Sequence, residues 1–338
     1  MHFARCSTFA RAGRGTIAGM TTSHSTRGIA MVLLAAMLWG TTGTAQSLAP
    51  AGLSPYWVGA LRLAVASAFF ALLAAPALWR RASAPRLPWR PVLLAGACVA
   101  AYNLSFFAGV KASGVALGTA IAIGSGPIWA GLMQTLAQRR WPAPVWWAGT
   151  LLGVAGGAAM ALNGHASVSA PLAGIALCLL AGLAYAAYAL LNKPLVAQSG
   201  AASANLAVFG TAALLSLPVA SVLGGPLRAP GATWAIVAYL GLVATGVAYL
   251  LFSHALRHIS GATAVTLALA EPVTAFALAI AVVGEAPSAM AFWGLAGVLA
   301  GLLLVIWAEL RAQASRRRAA DSGKGAQPAD GADGGGSA

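Results

Sequence analysis

Apolar runs of twenty or so residues recur along the chain, cut apart by short clusters of Pro, Gly and charge. A helix needs about 20 apolar residues to cross the roughly 30 Å of hydrocarbon in a bilayer. Cutting at the clusters predicts ten such helices: 28–48, 56–78, 92–110, 114–137, 144–162, 171–191, 203–223, 232–253, 260–283 and 288–309. The third and fourth share a very short connection. Residues 1–27 are Arg-, Ser- and Gly-rich and lack the apolar core of a cleaved secretory signal, so they read as a disordered extension, with Met20 an alternative start. The polar, Gly-rich stretch from about residue 310 to 338 cannot bury apolar surface and also reads as disordered.

Composition strengthens the pattern. Only 8% of the 338 residues are charged and 59% are hydrophobic, whereas a soluble domain carries about 25% charge. A water-facing surface cannot be built from so few charges, so the chain is expected to be an all-α integral membrane protein. Its net charge of +14 does not call for nucleic acid, because Lys and Arg collect on the cytoplasmic loops of membrane proteins. With the N-terminus inside, Arg80, Arg81, Arg86, Arg90, Arg139, Arg140, Lys193 and Arg257 fall on inside loops, and Lys111 and Arg228 outside. That asymmetry predicts ten spans with both ends cytoplasmic. Cys6, Cys98 and Cys178 lie far apart and suggest neither a disulfide framework nor a metal site.

Two stretches echo each other. "YNLSFFAGVKASGVALGTA" from Tyr102 resembles "YLLFSHALRHISGATAVTL" from Tyr249, with the Tyr, the Ser-Gly pair and the following Thr at one offset. Pro127 then matches Pro272, and Pro142 matches Pro287. Two units of five helices follow, at 28–162 and 171–309 with a linker at 163–170. An odd number of spans makes the second unit enter the membrane from the opposite side. Inverted repeats are an architecture of transporters, with the substrate near the midplane. Chance likeness among Ala-, Leu- and Gly-rich helices is the competing reading. Gly149, Gly153, Gly297 and Gly301 have the spacing of closely packed helices, which suits packing within the chain and leaves a homodimer open.

A few polar residues interrupt the apolar spans. Glu271 falls inside the ninth, where a carboxylate costs about 2.5–3.5 kcal/mol on insertion scales. It is expected to face a wet cavity or the bundle interior. Pro272 lacks an N–H, so the Ala268 carbonyl is expected to need another donor. Arg62 in the second span is either a charge partner or anion site, or a side chain reaching for the headgroups. Trp39 either lines a cavity or packs in the core. Tyr185, Tyr188 and Asn192 stack on one helix face, lining a pathway or bonding neighbouring helices, and Tyr102 and Asn103 raise the same choice. His254 and His258 have one-turn spacing but no third ligand, so no metal is expected. Glu285 reads as a solvated helix end.

These residues carry a resemblance to the EamA family of the drug/metabolite transporter superfamily. "LLAAMLWGTTGTA" resembles the family's Trp-Gly start, Arg62 in "ALRLAVASAFF" stands at the place of its membrane arginine, and "LAEPVTAFALAIAVVGE" is similar to its Glu-Pro through Gly-Glu signature. The resemblance covers about residues 28–309. It implies ten transmembrane helices as two inverted five-helix repeats around a central cavity, in the cytoplasmic (inner) membrane, with Trp39, Arg62, Glu271 and Pro272 as matched positions. The first repeat departs from the pattern, with Gly126 before Pro127 where the second has Glu271, and Arg140 where a counterpart of Glu285 is expected.

The expected function is a secondary carrier that exports a small polar metabolite, an amino acid or related compound, by alternating access. No phosphate-binding loop for ATP is present, and no cofactor or catalytic set is expected. Glu271 would bind the solute's positive group or a coupling proton, and Arg62 would orient an anionic group or balance Glu271. The alternatives are a channel or uniporter-like facilitator, and a non-transporting membrane scaffold or sensor.

Overall fold

The computed structural model describes residues 9–48, 53–79, 87–139, 141–162, 171–284 and 286–324. They form helices joined by short connections, with no strand among the described residues. In hydrocarbon every backbone N–H and C=O must be satisfied within the segment, which leaves the helix as the only form open to these separate apolar runs. The first half holds α1 (Phe9–Ser47), α2 (Pro55–Trp79), α3 (Trp89–Ser113), α4 (Val115–Gln138) and α5 (Pro144–Leu162). The second holds α6 (Leu172–Ser199), α7 (Ala201–Leu223), α8 (Gly231–Ala255), α9 (Gly261–Val283) and α10 (Ala289–Lys324). Among the described residues, nine helices are long and apolar enough to cross a membrane. The 24-residue α4 is not among the nine. Leu72, Leu136, Leu172 and Trp293 are each more than three-quarters exposed, which suits a lipid-facing exterior.

Composition predicts disorder at 1–27 and 310–338, whereas α1 is helical from Phe9 and α10 continues to Lys324. Both stretches prolong the helix of a neighbouring span, and a hydrogen bond from Ser25 Oγ to Gln313 Oε1 ties them together. Residues 1–8, 325–338, the linker 163–170, and Arg80, Arg81, Arg86, Arg140 and Glu285 lie outside the described residues.

The packing repeats itself between the halves. α2 packs on α7 and α5 on α10; α1 lies against α8 and α9, as α6 lies against α3 and α4; α3 meets α7, as α8 meets α2. Shifting each label by five turns every contact in this set into another member of it. The first helix of each half therefore sits among the helices of the other half. The α5–α10 contact uses the glycines flagged by their spacing, a Cβ on Gly301 falling 2.5 Å from the Gly149 carbonyl oxygen, and also Gly156 and Gly294, which were not flagged: a Cβ on Gly156 would fall 2.6 Å from the Gly294 carbonyl oxygen. These small residues serve an interface inside the chain.

The two halves differ in regularity. α3 and α4 are unbroken α-helix, even with Pro127 inside α4. α8 contains a π-helical stretch, Leu240–Val247, and α9 a 3-10 turn at Ala268–Ala270 and a second π stretch at Ala279–Val283. The 3-10 turn answers the Pro272 expectation. Tightening lets the Glu271 N–H donate to the Ala268 carbonyl, so that group finds its partner within its own helix and needs no outside donor. Pro272 then sits in the first turn of Glu271–Leu278, where its missing N–H costs nothing.

Candidate functional site

A cavity of about 880 Å³ opens at the end of the bundle where α1 finishes and α2 begins. Its mouth is marked by Gln46, Leu53, Pro55, Lys111, Gly114 and Thr233, and its depth by Trp39, Arg62, Tyr102, Tyr185, Tyr249 and Glu271. Residues 185 to 271 of this set come from the second half and the others from the first. No single span could have shown the site.

Close helix approach places the carboxylate. A Cβ on Gly40 would lie 2.6 Å from the Glu271 carbonyl oxygen and 2.7 Å from Thr274 Cβ, so glycine after Trp39 lets α1 lie directly on α9. Glu271 is half-buried on the cavity wall. Its carboxylate has no hydrogen-bond or ion-pair partner among the described residues. Arg62 stands on another wall of the same cavity and donates from Nη2 to Asn103 Oδ1 at 2.8 Å. Asn103 is held in turn by its Nδ2 donating to the Val99 carbonyl at 3.0 Å, and it is almost wholly buried. Asn103 therefore fixes the guanidinium from behind instead of lining the cavity. Arg62 lines the cavity.

The cavity floor is aromatic. Trp39 packs on Tyr249 at 4.9 Å between ring centroids, on Phe252 at 5.6 Å and on Tyr185 at 6.2 Å. Tyr102 meets Tyr185 at 5.7 Å. Three buried donors on this lining have no partner among the described residues: Trp39 Nε1, Tyr185 hydroxyl and Arg62 Nε. An unpaired buried donor costs about 1–3 kcal/mol, so a solute or water that accepts from them would recover that cost. The site thus presents unpaired donors and an unpaired carboxylate across one aromatic-walled space.

Beyond the floor the chain is closed by polar contacts. Tyr188 does not line the cavity; it lies behind the aromatic layer and accepts from Asn192 Nδ2 at 3.1 Å. Asn192 also donates to Ser253 Oγ at 3.0 Å, Ser253 donates to Asn205 Oδ1 at 2.7 Å, and Asn205 Nδ2 donates to the Tyr249 carbonyl at 3.1 Å. Of the stacked face on α6, then, Tyr185 lines the cavity, Asn192 bonds the neighbouring α8, and Tyr188 bonds Asn192 and packs its ring on Phe209 and Tyr249. Pro127 is buried in α4. His254 Nδ1 lies 2.8 Å from the Leu250 carbonyl of its own helix, and no group of metal-binding side chains occurs among the described residues. Sequence reasoning passed over Tyr249, although its alignment with Tyr102 in the repeat could have found it. It also passed over Asn205, Ser253 and Glu309, which carry no motif.

Taken together, fold and cavity define a multi-pass helical membrane protein with a polar, aromatic-walled site among its spans. The sequence profile of the EamA-like transporter family matches residues 26–162 and again residues 172–307. The chain belongs to the EamA-like transporter family, hence to the drug/metabolite transporter superfamily, and carries two repeats of it. It is 36% identical to the "Uncharacterized transporter YwfM" of Bacillus subtilis (strain 168), over 81% of this chain and 92% of that one. It is 30% identical to a "Probable terminal-alkyne amino-acid exporter" of Streptantibioticus cattleyicolor, over 81% of this chain and 91% of that one. A solved crystal structure shares the fold at TM-score 0.72 and 20% identity, covering 86% of this chain and 99% of that one. The family and the two named relatives carry transporter or exporter names.

Proposed function

We propose that the protein is a secondary carrier that exports a small zwitterionic metabolite, an amino acid or a close relative, by alternating access across the cytoplasmic membrane. The observation that carries this reading is the cavity, where Arg62 and Glu271 stand on separate walls, unpaired with each other, over a floor of Trp39, Tyr185 and Tyr249. A carboxylate would take the place at Arg62, an ammonium group the place at Glu271, and an apolar side chain the aromatic floor. The relative named as an amino-acid exporter points the same way.

The ten helices would all span, as two inverted five-helix repeats bounded near 28–162 and 171–309, with both termini cytoplasmic as the loop charges predict. On that orientation the cavity faces outward. The polar contacts beyond its floor argue against a continuous pore and so against a channel. Glu271 is the natural site for a coupling proton when no ammonium occupies it, and proton exchange in place of a solute would return the empty carrier.

Untargeted profiling of cells and medium tests the reading, with wild type, Glu271→Gln and empty vector at matched expression. An amino acid or related zwitterion released by wild type alone is the expected result. Equal release by the Gln variant would remove Glu271 from the mechanism, and no difference among the three would remove export.

A further inference from the structure

The short turn between α8 and α9 is held in place by side chains from three other helices and by the close approach of a fourth. Its backbone accepts from Lys193 of α6, whose Nζ donates to the Ile259 carbonyl. It donates to α4, the Ala262 N–H reaching Gln134 Oε1 at 3.2 Å. From α1, Gly28 packs so closely that a Cβ there would fall 2.8 Å from His258 Cβ. From α10, Glu309 Oε2 accepts from the Thr263 hydroxyl at 2.6 Å. Glu309 Oε1 accepts from Gln313 Nε2 at 2.9 Å, and Gln313 is bonded to Ser25 of α1. One carboxylate thereby links α9, α10 and α1 at the end of the bundle opposite the cavity mouth.

The equivalent turn of the first half is held differently. "SGVALGT" at 113–119 and "SGATAVT" at 260–266 share the Ser-Gly pair and the closing Thr. Yet Gly114 lines the mouth with φ of +83° and has nothing within 4 Å of where a Cβ would be, whereas a Cβ on Gly261 would meet Leu190 Cδ2 at 2.7 Å. Ser260 caps α9, accepting from the Thr263 N–H at 3.1 Å; Gly114 starts α4 with no side-chain cap. Both turns are packed by the first helix of the other half, Gly174 of α6 leaving no room for a Cβ beside Ser113 as Gly28 leaves none beside His258; among the described residues, the bonds from Lys193, Gln134 and Glu309 belong to the second turn alone.

We propose that the α8–α9 turn is the gate at the closed end of this carrier and that Glu309 is the positioning residue that holds it shut. The proposal rests on the carrier reading above. Opening to the second side must break the Thr263–Glu309 bond, because Thr263 moves with α9 while Glu309 belongs to α10. Charge-assisted hydrogen bonds are about twice as strong as neutral ones, so this bond is the strong point of the grip. Thr263 and Glu271 share α9, eight residues apart, or about two helical turns. A displacement of α9 on loading Glu271 would reach the latch directly.

The test uses the full chain with its three cysteines replaced by alanine and one reporter, Ala268→Cys, on the cavity floor. A membrane-impermeant maleimide is applied to intact cells or to inside-out vesicles, and solute counterflow is measured in the same vesicles. Wild type is expected to label from outside. Glu309→Leu and Thr263→Val are expected to raise labelling in inside-out vesicles about tenfold and to lower it in cells, a shift in the two-state ratio. The double variant should add nothing to either single one. Glu309→Gln, which keeps a neutral acceptor for Thr263 but loses the charge, should label between wild type and Glu309→Leu, a graded response that a merely structural Glu309 would not give. Should Glu309→Leu fail to fold, Thr263→Val carries the test alone. Unchanged labelling with intact counterflow would overturn the latch and leave the carrier standing. Wild-type labelling from both faces at once would remove the carrier and the latch with it.

Discussion

α3 and α4 run without a break, while their counterparts α8 and α9 contain two π stretches and a 3-10 turn. The irregular pair also carries Glu271 and Tyr249, where the regular pair carries Gly126 and Tyr102. A duplicated scaffold has therefore been worked on unequally. π stretches cluster at functional places because they misalign the backbone ladder and re-aim side chains. In α8 the Thr245 hydroxyl reaches back five residues to the Leu240 carbonyl at 2.7 Å, holding the wide turn. Gly241 and Gly246 of this stretch lie against Val65 and Phe69 of α2, the helix of Arg62. The lesson is that one half supplies a regular wall and a guanidinium held by Asn103, and the other supplies the carboxylate and the irregular backbone.

The sharpest way to break this comparison is to move the charge. Glu271→Gln is expected to lower solute flux in reconstituted vesicles by about a hundredfold, since truncating one partner of a buried charged contact costs about 2–5 kcal/mol. Adding Gly126→Glu to that variant should restore nothing, because the first half lacks the 3-10 turn that presents Glu271. Restored flux would show the halves to be interchangeable. Next in size is the backbone: deleting Val243 should convert the π stretch to plain α-helix with Tyr249 kept in register. A tenfold or so fall in flux with an unchanged melting temperature is expected, about 1.4 kcal/mol in the barrier, whereas a normal rate would make the stretch mere packing.

Smaller effects belong to the regular wall. Asn103→Ala leaves Arg62 in place but loosens it, and should raise the KM for the solute about threefold with little change in maximal rate, the mark of weakened binding. Arg62→Lys loses the planar fork and should exceed it. The least effect on flux is expected where the halves merely touch. Gly156→Leu should lower the melting temperature in detergent, overpacking costing about 1–3 kcal/mol. Gly157→Leu, where a Cβ meets nothing within 4 Å, should match wild type by the same measurement.

Much of this architecture was legible because a membrane permits few solutions. Twenty apolar residues leave a chain little choice but a helix, and the Tyr, Ser-Gly and Thr of the repeat marked the second half from the first. Glu271, Arg62 and Trp39 stood out as polar or misplaced residues in apolar spans, and all three reach the cavity. Hidden from sequence were the relations between spans. Nothing in "YNL" says that Asn103 turns from the cavity to hold Arg62, nor in "AEL" that Glu309 meets Thr263, since both contacts are set by how distant helices cross. Pro272 misled for a subtler reason. A proline's missing N–H is a fact of sequence, but whether its orphaned carbonyl is repaired by 3-10 tightening depends on how far α9 can overwind against α1.

The exchange of first helices between the halves bears on how the protein is made. As the chain leaves the ribosome, α1 enters the membrane long before α8 and α9, the helices it lies against. For the same interval the faces of α3 and α4 that α6 will cover meet only lipid. A molecule interrupted after α5 would thus be left with one helix unhoused and two faces bare, a ready substrate for quality-control proteolysis. The two halves cannot mature one after the other as independent units; each completes the other, and the bundle closes only when its last helices arrive.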